Sequence, residues 1–175
     1  MAEAPEIPEA NDPFEKRAAV TIAIIAVVLA VVGNKGDNAK TDAIIKTNEA
    51  ANQYSYYQAK GIKGSIASAE HELLTLLAPV QTAGADLAKV SERLKADEER
   101  YKSEQVKIKA DAEEAKKDAE IGSKINDRCD QSSLALQIAV VIASVSILAR
   151  SRAFWIASIV LGVAGTAIGV MAFLI

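Results

Sequence analysis

The sequence predicts an all-α membrane protein with three transmembrane helices and a long antiparallel, coiled-coil-like helical hairpin between the first and the second. Three runs contain no charged side chain: Ala18 to Val32, Gln131 to Ala149, and Ala153 to Ile175. A spanning helix needs roughly 20 mostly apolar residues, with about 17 as a lower limit. The second and third runs reach that length, and Gly33 and Asn34 extend the first. We therefore expect the chain to cross a bilayer three times.

The N-terminal segment, residues 1–13, holds three of the four prolines and four acidic side chains. It has little apolar surface to bury and is predicted to be disordered or to lie against a partner. The first transmembrane helix is placed at residues 14–34, with Phe14 and the pair Lys16–Arg17 at its headgroup boundary. An uncleaved anchor is favoured over a secretory signal, because the acidic tail precedes the apolar run and no clear cleavage site follows it.

Small residues recur at 4-3-4 spacing along the first span, at Ala19, Ala23, Ala26 and Ala30. Small side chains let helices approach closely in lipid, so this stripe is predicted to pack against protein. The alternative is that alanine is simply common in spanning helices.

Residues 35–130 are predicted to form the extramembrane hairpin, with its tip at residues 78–85. Proline cannot continue a helix interior and glycine tolerates turn conformations, so Pro79 and Gly84 mark the reversal. At the base, residues 33–38 contain two glycines and are predicted to be a hinge. Asp37 or Thr41 could cap the helix that follows the hinge.

Folding back at this tip predicts a helical seam at 3–4 spacing. It places Leu76 opposite Leu87, Leu73 opposite Val90, Ala69 opposite Leu94, Ile62 opposite Tyr101, and Ala51 opposite Ala112. Its lower half is mostly Ala, Ser and Asn, which bury little area at about 25 cal/mol per Å². Neighbouring copies or a partner protein are therefore expected to supply further contacts.

The closing spans are placed at residues 131–149 and 153–175, joined by a short basic loop at residues 150–152. The third span has a series of small residues: Ser158, Gly162, Gly165 and Gly169. A GxxxG step of this kind is typical of close helix packing in lipid. The sequence leaves open whether the contact lies within or between subunits, or whether the glycines are incidental.

Orientation follows from the positive-inside rule. Lys16–Arg17 and the basic loop fall on one side of the membrane, together with Phe14 and Trp155. That side is expected to be cytoplasmic, in a bacterial inner membrane, with the hairpin in the periplasm. Lys35, Lys40, Lys124 and Arg128 at the hairpin base oppose this orientation, although long translocated segments obey the rule less strictly.

Catalytic chemistry is not indicated. His71 and Cys129 are the single histidine and the single cysteine, far apart in sequence, so neither a metal-ligand set nor a nucleophile–base pair is predicted. No cofactor, small-molecule substrate or nucleic acid is expected, because no phosphate-binding loop is present and the hairpin charges are balanced. The three uncharged runs within the spans contain no ionisable side chain, which argues against a pump. Gln137 could bond across helices or line a narrow pore.

Aromatic and basic residues cluster on the ascending arm of the hairpin. We predict an interaction surface there, because tyrosine offers a large contact area with a polar tip and can stack with cations. Its residues are Tyr54, Tyr56, Tyr57, Lys60 and Lys63.

This stretch resembles an uncharacterised bacterial membrane-protein family, the domain of unknown function four-three-three-seven. The resemblance covers roughly residues 14–175 and is carried by Tyr56, Tyr57, Gln58, Ala59, Lys60, Ile62 and Lys63. Trp is more frequent in the family where Tyr54 stands, and Ser where Gly61 stands. The resemblance implies a short first span, a charged helical region and two closing spans. It implies no activity and no catalytic residue.

Two functions fit these expectations. The first is a non-enzymatic oligomeric scaffold, or an accessory subunit of a larger membrane complex, that acts through its hairpin. The alternative is a homo-oligomeric pore formed by the spans. In both cases the expected partners are the lipid bilayer and further copies or subunits.

Overall fold

The computed structural model describes residues 12–77 and 84–175, and these residues are helical almost throughout. Within them lie α1 (Pro13–Leu77), α2 (Gly84–Leu148) and α3 (Arg152–Phe173). Each of the three helices is long and apolar enough to span a membrane, which confirms the predicted all-helical class at that level. The predicted hairpin tip falls mostly outside the described residues, as does nearly all of the predicted acidic tail.

Helix α1 begins one residue earlier than the predicted first span. Pro13 is its first residue, a position where the missing N–H of proline costs no hydrogen bond. The side chain of Asp12 accepts a hydrogen bond from the backbone N–H of Phe14 at 2.9 Å. Asp12 and Pro13, assigned to the tail by the sequence, therefore form the start of the helix.

The predicted hinge at residues 33–38 is wrong, because α1 continues through it without a break. Thr41 donates its hydroxyl to the carbonyl oxygen of Asp37 at 2.9 Å, an internal helical bond and not a cap. A Cβ atom on Gly36 would lie only 2.8 Å from the Cβ atom of Cys129. This glycine therefore serves a close approach of α1 to α2 and not a change of chain direction.

The described residues form two compact units: unit 1 comprises residues 12–42 and 121–175, and unit 2 comprises the described residues of Ala43–Glu120. In unit 1, α1, α2 and α3 pack around a core that contains Ile25, Val32, Cys129, Leu136, Ala139 and Ala172. Along α3, Gly162 lies near Ile25 of α1 and Gly169 near Val32, so residue numbers increase in the same direction in both helices. Toward α2 they run in opposite directions, because Gly162 lies near Ala139 and Gly169 near Ser132. Helix α3 is therefore parallel to α1 and antiparallel to α2.

The turn between α2 and α3 is a Schellman-type ending of α2. Ser151 donates its backbone N–H to the carbonyl of Ser146 at 3.1 Å, and Arg150 donates to the carbonyl of Ile147 at 3.2 Å. Arg150 has a φ of 47°, the left-handed conformation that glycine usually occupies at this position. Helix α3 starts two residues later.

Unit 2 is an antiparallel pair of helices, since residues further along α1 meet residues earlier in α2. Lys60 contacts Glu104, whereas His71 contacts Ser91. On α2, Tyr101 is half-buried and Ala112 is buried, as predicted for the seam. Ile108, Ala115 and Ala119 are also buried.

On α1 the predicted face of the seam is wrong. Ile62 and Leu73 are 62% and 57% exposed, and Val90, the predicted partner of Leu73, is 47% exposed. Ala50 and Ala67 are buried instead, and Gly64, not Ile62, lies against Tyr101. Because α2 contributes the large side chain of Tyr101 to the seam, the facing position on α1, Gly64, must be small for the helices to pack.

Candidate functional site

The basic and aromatic residues of α1 meet α2 around the ammonium group of Lys60. Its side chain is only 14% exposed, and Nζ lies 2.5 Å from the Glu104 carboxylate. The same Nζ lies 5.2 Å from the ring centroid of Tyr56 and 5.2 Å from that of Tyr101. One cation is therefore held by two aromatic rings and one carboxylate, in an arrangement that ties α1 to α2.

Arg100 extends this cluster along α2. Its guanidinium lies 2.9 Å from Asp97, 3.7 Å from Glu104 and 5.0 Å from the ring centroid of Tyr101. Tyr101 is thus flanked by two cations, one from each helix. We call Tyr56, Lys60, Arg100, Tyr101 and Glu104 the Lys60 cluster.

The charges of the cluster stabilise each other. The hydrogen bond that Lys60 donates to the Glu104 carboxylate raises the pKa of Lys60 above its usual value. The same bond lowers the pKa of the Glu104 carboxyl. Both groups are therefore held in their charged forms at neutral pH, which suits a structural cross-link and not a proton-transfer pair.

Gln105 forms a second cross-link between the helices beside the cluster, and Gly61 leaves the space for it. The side-chain amide of Gln105 donates a hydrogen bond to the backbone carbonyl of Tyr57 at 3.2 Å. A Cβ atom on Gly61 would lie 2.7 Å from the Nε2 atom of Gln105. Glycine at position 61 therefore gives Gln105 access to the backbone of α1.

The predicted interaction surface divides into two groups. Lys60 faces α2, and Tyr57 is half-buried with its carbonyl bonded to Gln105. Tyr54 and Lys63 are exposed, and Tyr56 is 52% exposed while its ring contacts Lys60. The α2 residues Arg100, Glu104 and Gln105 were not identified from the sequence, although Tyr101 was on the predicted seam.

The remaining histidine and cysteine are also placed within the fold. The ring of His71 shares a hydrogen bond of 3.0 Å with the hydroxyl of Ser91 across the helix pair. Cys129 is 1% exposed, in the core of unit 1. Over the described ranges 12–77 and 84–175, no group of three or more His, Cys, Asp or Glu side chains could hold a metal ion.

An open cleft of about 490 Å³ lies beside the cluster, between the two helices of unit 2. Its α1 wall includes small residues and one carboxylate, and its α2 wall includes Glu98 and Lys102; the α1 residues are Gly61, Gly64, Ser65, Ser68, Ala69 and Glu72. Glu98 and Lys102 are paired with each other at 2.5 Å. The cleft thus presents a polar surface whose opposite charges on α2 are mutually neutralised.

The small residues predicted to pack in the third span form the buried face of α3: Ser158, Gly162, Gly165 and Gly169. A Cβ atom on Gly162 would lie 3.1 Å from Ile25, and one on Gly165 would lie 3.0 Å from Leu136. On Gly169 it would lie 2.8 Å from the Ser132 hydroxyl and 2.9 Å from Val32. Within one chain, these glycines let α3 approach both α1 and α2.

The alanine stripe predicted to pack in the first span is placed differently: Ala19, Ala23, Ala26 and Ala30 are all exposed. The packed face of α1 in unit 1 contains Ala18, Ile25 and Val32. The branched side chains of Ile25 and Val32 on α1 fill the space beside Gly162 and Gly169 on α3. Large residues on one helix therefore pack against glycines on the other. The alanine stripe does not pack inside one chain.

The sequence of this chain matches a known protein family. The family model described as Domain of unknown function (DUF4337) matches residues 14–175. The chain belongs to this family. In this DUF4337 chain the matched region includes all three helices apart from Pro13, and the Lys60 cluster lies within it. No match was found among curated proteins or among solved structures.

Proposed function

We propose that this chain is a non-enzymatic integral membrane protein that acts as an oligomeric scaffold, or as an accessory subunit of a larger membrane complex, through its helical hairpin. The observation that supports this proposal is the unequal character of the two helices in unit 2. One helix is coated with charge, and the other exposes large apolar side chains.

The inequality is large in the sequence of the two arms. Residues 84–120 of α2 contain 20 Asp, Glu, Lys or Arg among 37 residues, whereas residues 43–77 of α1 contain 6 among 35. Large exposed hydrophobic residues show the reverse pattern. Among the described side chains of unit 2, α2 exposes Val90 and Val106, whereas α1 exposes Ile44, Ile45, Tyr54, Tyr56, Ile62, Ile66, Leu73 and Leu76.

A contiguous apolar face on a soluble surface usually marks a contact site. The charged face of α2 needs no cover, because water solvates it. The apolar face of α1 gains free energy when another protein surface covers it. The exposed apolar face of α1 therefore favours a hairpin that binds another protein over a hairpin that makes no contacts.

The proposed topology places the three apolar segments in the membrane, with the N-terminus and the residue 150–152 loop in the cytoplasm of a bacterial cell and the hairpin in the periplasm. Contacts within unit 1 favour placing the two basic segments on one side. The Phe14 and Trp155 rings meet edge to face at 6.1 Å, and Arg150 lies 3.6 Å from Glu15. Aromatic and basic side chains of this kind are typical of a membrane interface.

The side chains most suited to catalysis are engaged in packing, which favours the non-enzymatic role. His71 is bonded to Ser91, and Cys129 lies in a core of apolar and small residues. Lys60 and Glu104 hold each other in their charged forms, since their pairing raises the pKa of Lys60 and lowers that of Glu104. No cofactor or small-molecule substrate is part of the proposal.

Purification from native membranes in mild detergent tests the proposal. We expect a native mass above that of one 18.5 kDa chain, arising from further copies or from partner subunits identified by mass spectrometry. A dispersed monomer without a co-purifying protein would overturn it. Reconstituted protein should show no conductance, whereas a size-limited conductance would favour a homo-oligomeric pore.

A further inference from the structure

Helix α1 carries two series of positions at 3–4 spacing in unit 2. The inner series includes Ala50, Tyr57, Lys60, Gly64 and Ala67, all buried or half-buried against α2. A second series starts at Ile45, continues through Asn48 and Asn52, and ends at Leu76. All of its positions are exposed, and we call this series the outer stripe.

The outer stripe points away from α2. Each of its positions lies two residues beyond a position of the inner series, and two residues turn a helix by about 200°. Its large side chains are 52–69% exposed: Ile45, Ile62, Ile66, Leu73 and Leu76. A sustained 3–4 pattern of this kind is the pattern that packs one helix against another.

We propose that the outer stripe binds the outer stripe of a second copy of this chain, so that two α1 helices lie side by side, parallel and in register. This inference rests on the proposed function, because it names the surface through which a membrane-bound scaffold would assemble. Membrane insertion decides the relative direction of the two helices. In two copies that share one bilayer and one topology, α1 begins on the same side of the membrane. Their α1 helices therefore run in the same chain direction.

The charge pattern fits an in-register pair. In such a pair each stripe residue meets its own copy, so a charged residue would face an identical charge. None of the ten positions of the outer stripe is charged, in a chain with 25% charged residues. Beside the stripe, the heptad geometry places Lys63 next to Gln58 of the other copy and Glu70 next to Ser65, so like charges do not meet.

Asn52 also favours this partner. In the heptad numbering of the outer stripe it shares position a with Ala59, Ile66 and Leu73. An asparagine at a single a position of a parallel coiled coil pairs with its own copy, which sets register and favours two strands at a cost in stability.

The area of the outer stripe is small for a dimer of free proteins and suits a dimer held in one membrane. From Ile45 to Leu76 it covers about 47 Å at 1.5 Å per residue, so a contact band about 10 Å wide covers about 470 Å² per copy. A stable interface between free proteins covers about 800 Å² per partner. Confinement of both copies to one bilayer raises their effective concentration and offsets this difference.

Site-directed crosslinking in native membranes tests the pairing. In a Cys129→Ala background, Ile66→Cys should give a covalent dimer with a short bismaleimide, because the two copies of residue 66 face each other. Val106→Cys is the matched control, since this α2 residue is 73% exposed and lies outside the outer stripe. Dimer at residue 106 and none at residue 66 would overturn the proposal.

The direction of pairing is tested by co-expressing Ile62→Cys and Leu73→Cys chains that carry different tags. In a parallel, in-register pair, residue 62 crosslinks to residue 62 and residue 73 to residue 73, so each covalent dimer carries a single kind of tag. Mixed-tag dimers between residues 62 and 73, which lie about 16 Å apart along a parallel pair, would overturn the parallel register.

A charge at the stripe supplies an independent readout. Adding Ile66→Glu to a chain that carries Ala69→Cys should reduce the crosslinked dimer at least tenfold with unchanged helix content, since Ile66 is 52% exposed and lies outside the inner series. Val106→Glu should leave the dimer unchanged. An oligomer that persists with Ile66→Glu overturns this inference alone, whereas a native monomer without partners overturns the proposed function as well.

Discussion

Ser132 donates its hydroxyl hydrogen bond to the backbone carbonyl of Gly165 at 2.7 Å, across the interface between α2 and α3. The serine is fully buried, and the absence of side chains on α3 leaves space for it. The hydrogen bond from Ser132 and the close approach of the α2 and α3 backbones therefore depend on each other. In an apolar environment, the unpaired hydroxyl would be costly.

Alanine at Gly169 should destabilise unit 1. Its Cβ atom would lie 2.8 Å from the Ser132 hydroxyl and 2.9 Å from Val32, so helices or side chains must shift. Overpacking of this kind typically costs about 1–3 kcal/mol. The measurement is the free energy of unfolding in mild detergent, followed by circular dichroism.

Gly33→Ala is the matched control, because no atom lies within 4 Å of the Cβ position there. We expect it to equal the wild type or to gain up to about 1 kcal/mol from helix propensity. Equal stability of Gly169→Ala and Gly33→Ala would contradict close packing of α3 within the chain.

A double-mutant cycle should reveal coupling between Gly61 and Gln105. Gly61→Ala gains helix propensity of about 1 kcal/mol but displaces the amide that bonds to Tyr57, a loss of similar size. In a Gln105→Ala background only the gain remains. The free energy of unfolding of the four proteins should therefore differ from additivity by about 1 kcal/mol.

Gly64→Ala provides the comparison for that cycle. Its Cβ atom would lie 3.6 Å from Tyr101, an ordinary contact distance, so the substitution should stabilise the chain without dependence on Gln105. Additive energies for Gly61 and Gln105 would show that the hydrogen bond to Tyr57 contributes nothing.

The Lys60–Glu104 pair should make stability depend on pH at both extremes. The folded-state pKa of Glu104 is lowered, so its contribution is present above the unfolded value of about 4.3 and is lost as pH falls through the folded value. The folded-state pKa of Lys60 is raised, so its contribution is present below about 10.4 and is lost as pH rises through the folded value.

Glu104→Gln should therefore reduce the loss of stability on acidification, measured as the unfolding midpoint below about pH 4.3 relative to pH 7. Glu99→Gln, at an exposed position of the same helix, should follow the wild-type curve. Parallel curves for Glu104→Gln and wild type would mean that the pair does not contribute to folding.

Glycine at Arg150 should stabilise the turn between α2 and α3. The residue has a φ of 47°, and left-handed backbone costs a non-glycine residue about 1–2 kcal/mol. Its ion pair with Glu15 is 3.6 Å long and the arginine side chain is 76% exposed, so little is lost with it. We expect a gain of about 1 kcal/mol in the free energy of unfolding.

Arg152→Gly is the corresponding control, because Arg152 is the first residue of α3. Glycine there should give no gain. Equal effects at the two positions would show that the backbone conformation of Arg150 is not strained.

The sequence alone determined the helical class, the three apolar segments and the small face of α3. The apolar segments follow from runs of uncharged residues, a local property of the chain. The face of α3 could also be identified early, since Ser158, Gly162, Gly165 and Gly169 are the positions at which two helix backbones can come close. Only the structure assigned their contacts to α1 and α2 of the same chain.

Tertiary structure decided which face of α1 meets α2. Both series of positions on α1 have 3–4 spacing, and the outer one has the larger hydrophobic residues, so periodicity and hydrophobicity favoured Ile62 and Leu73 for the seam. The choice instead depends on volume: Tyr101 on α2 requires a small partner, which Gly64 provides. Continuity through residues 33–38 has the same cause, because the space beside Gly36 is occupied by Cys129, which is 93 residues away along the chain. Such complementarity between distant residues exists only when the helices are packed together.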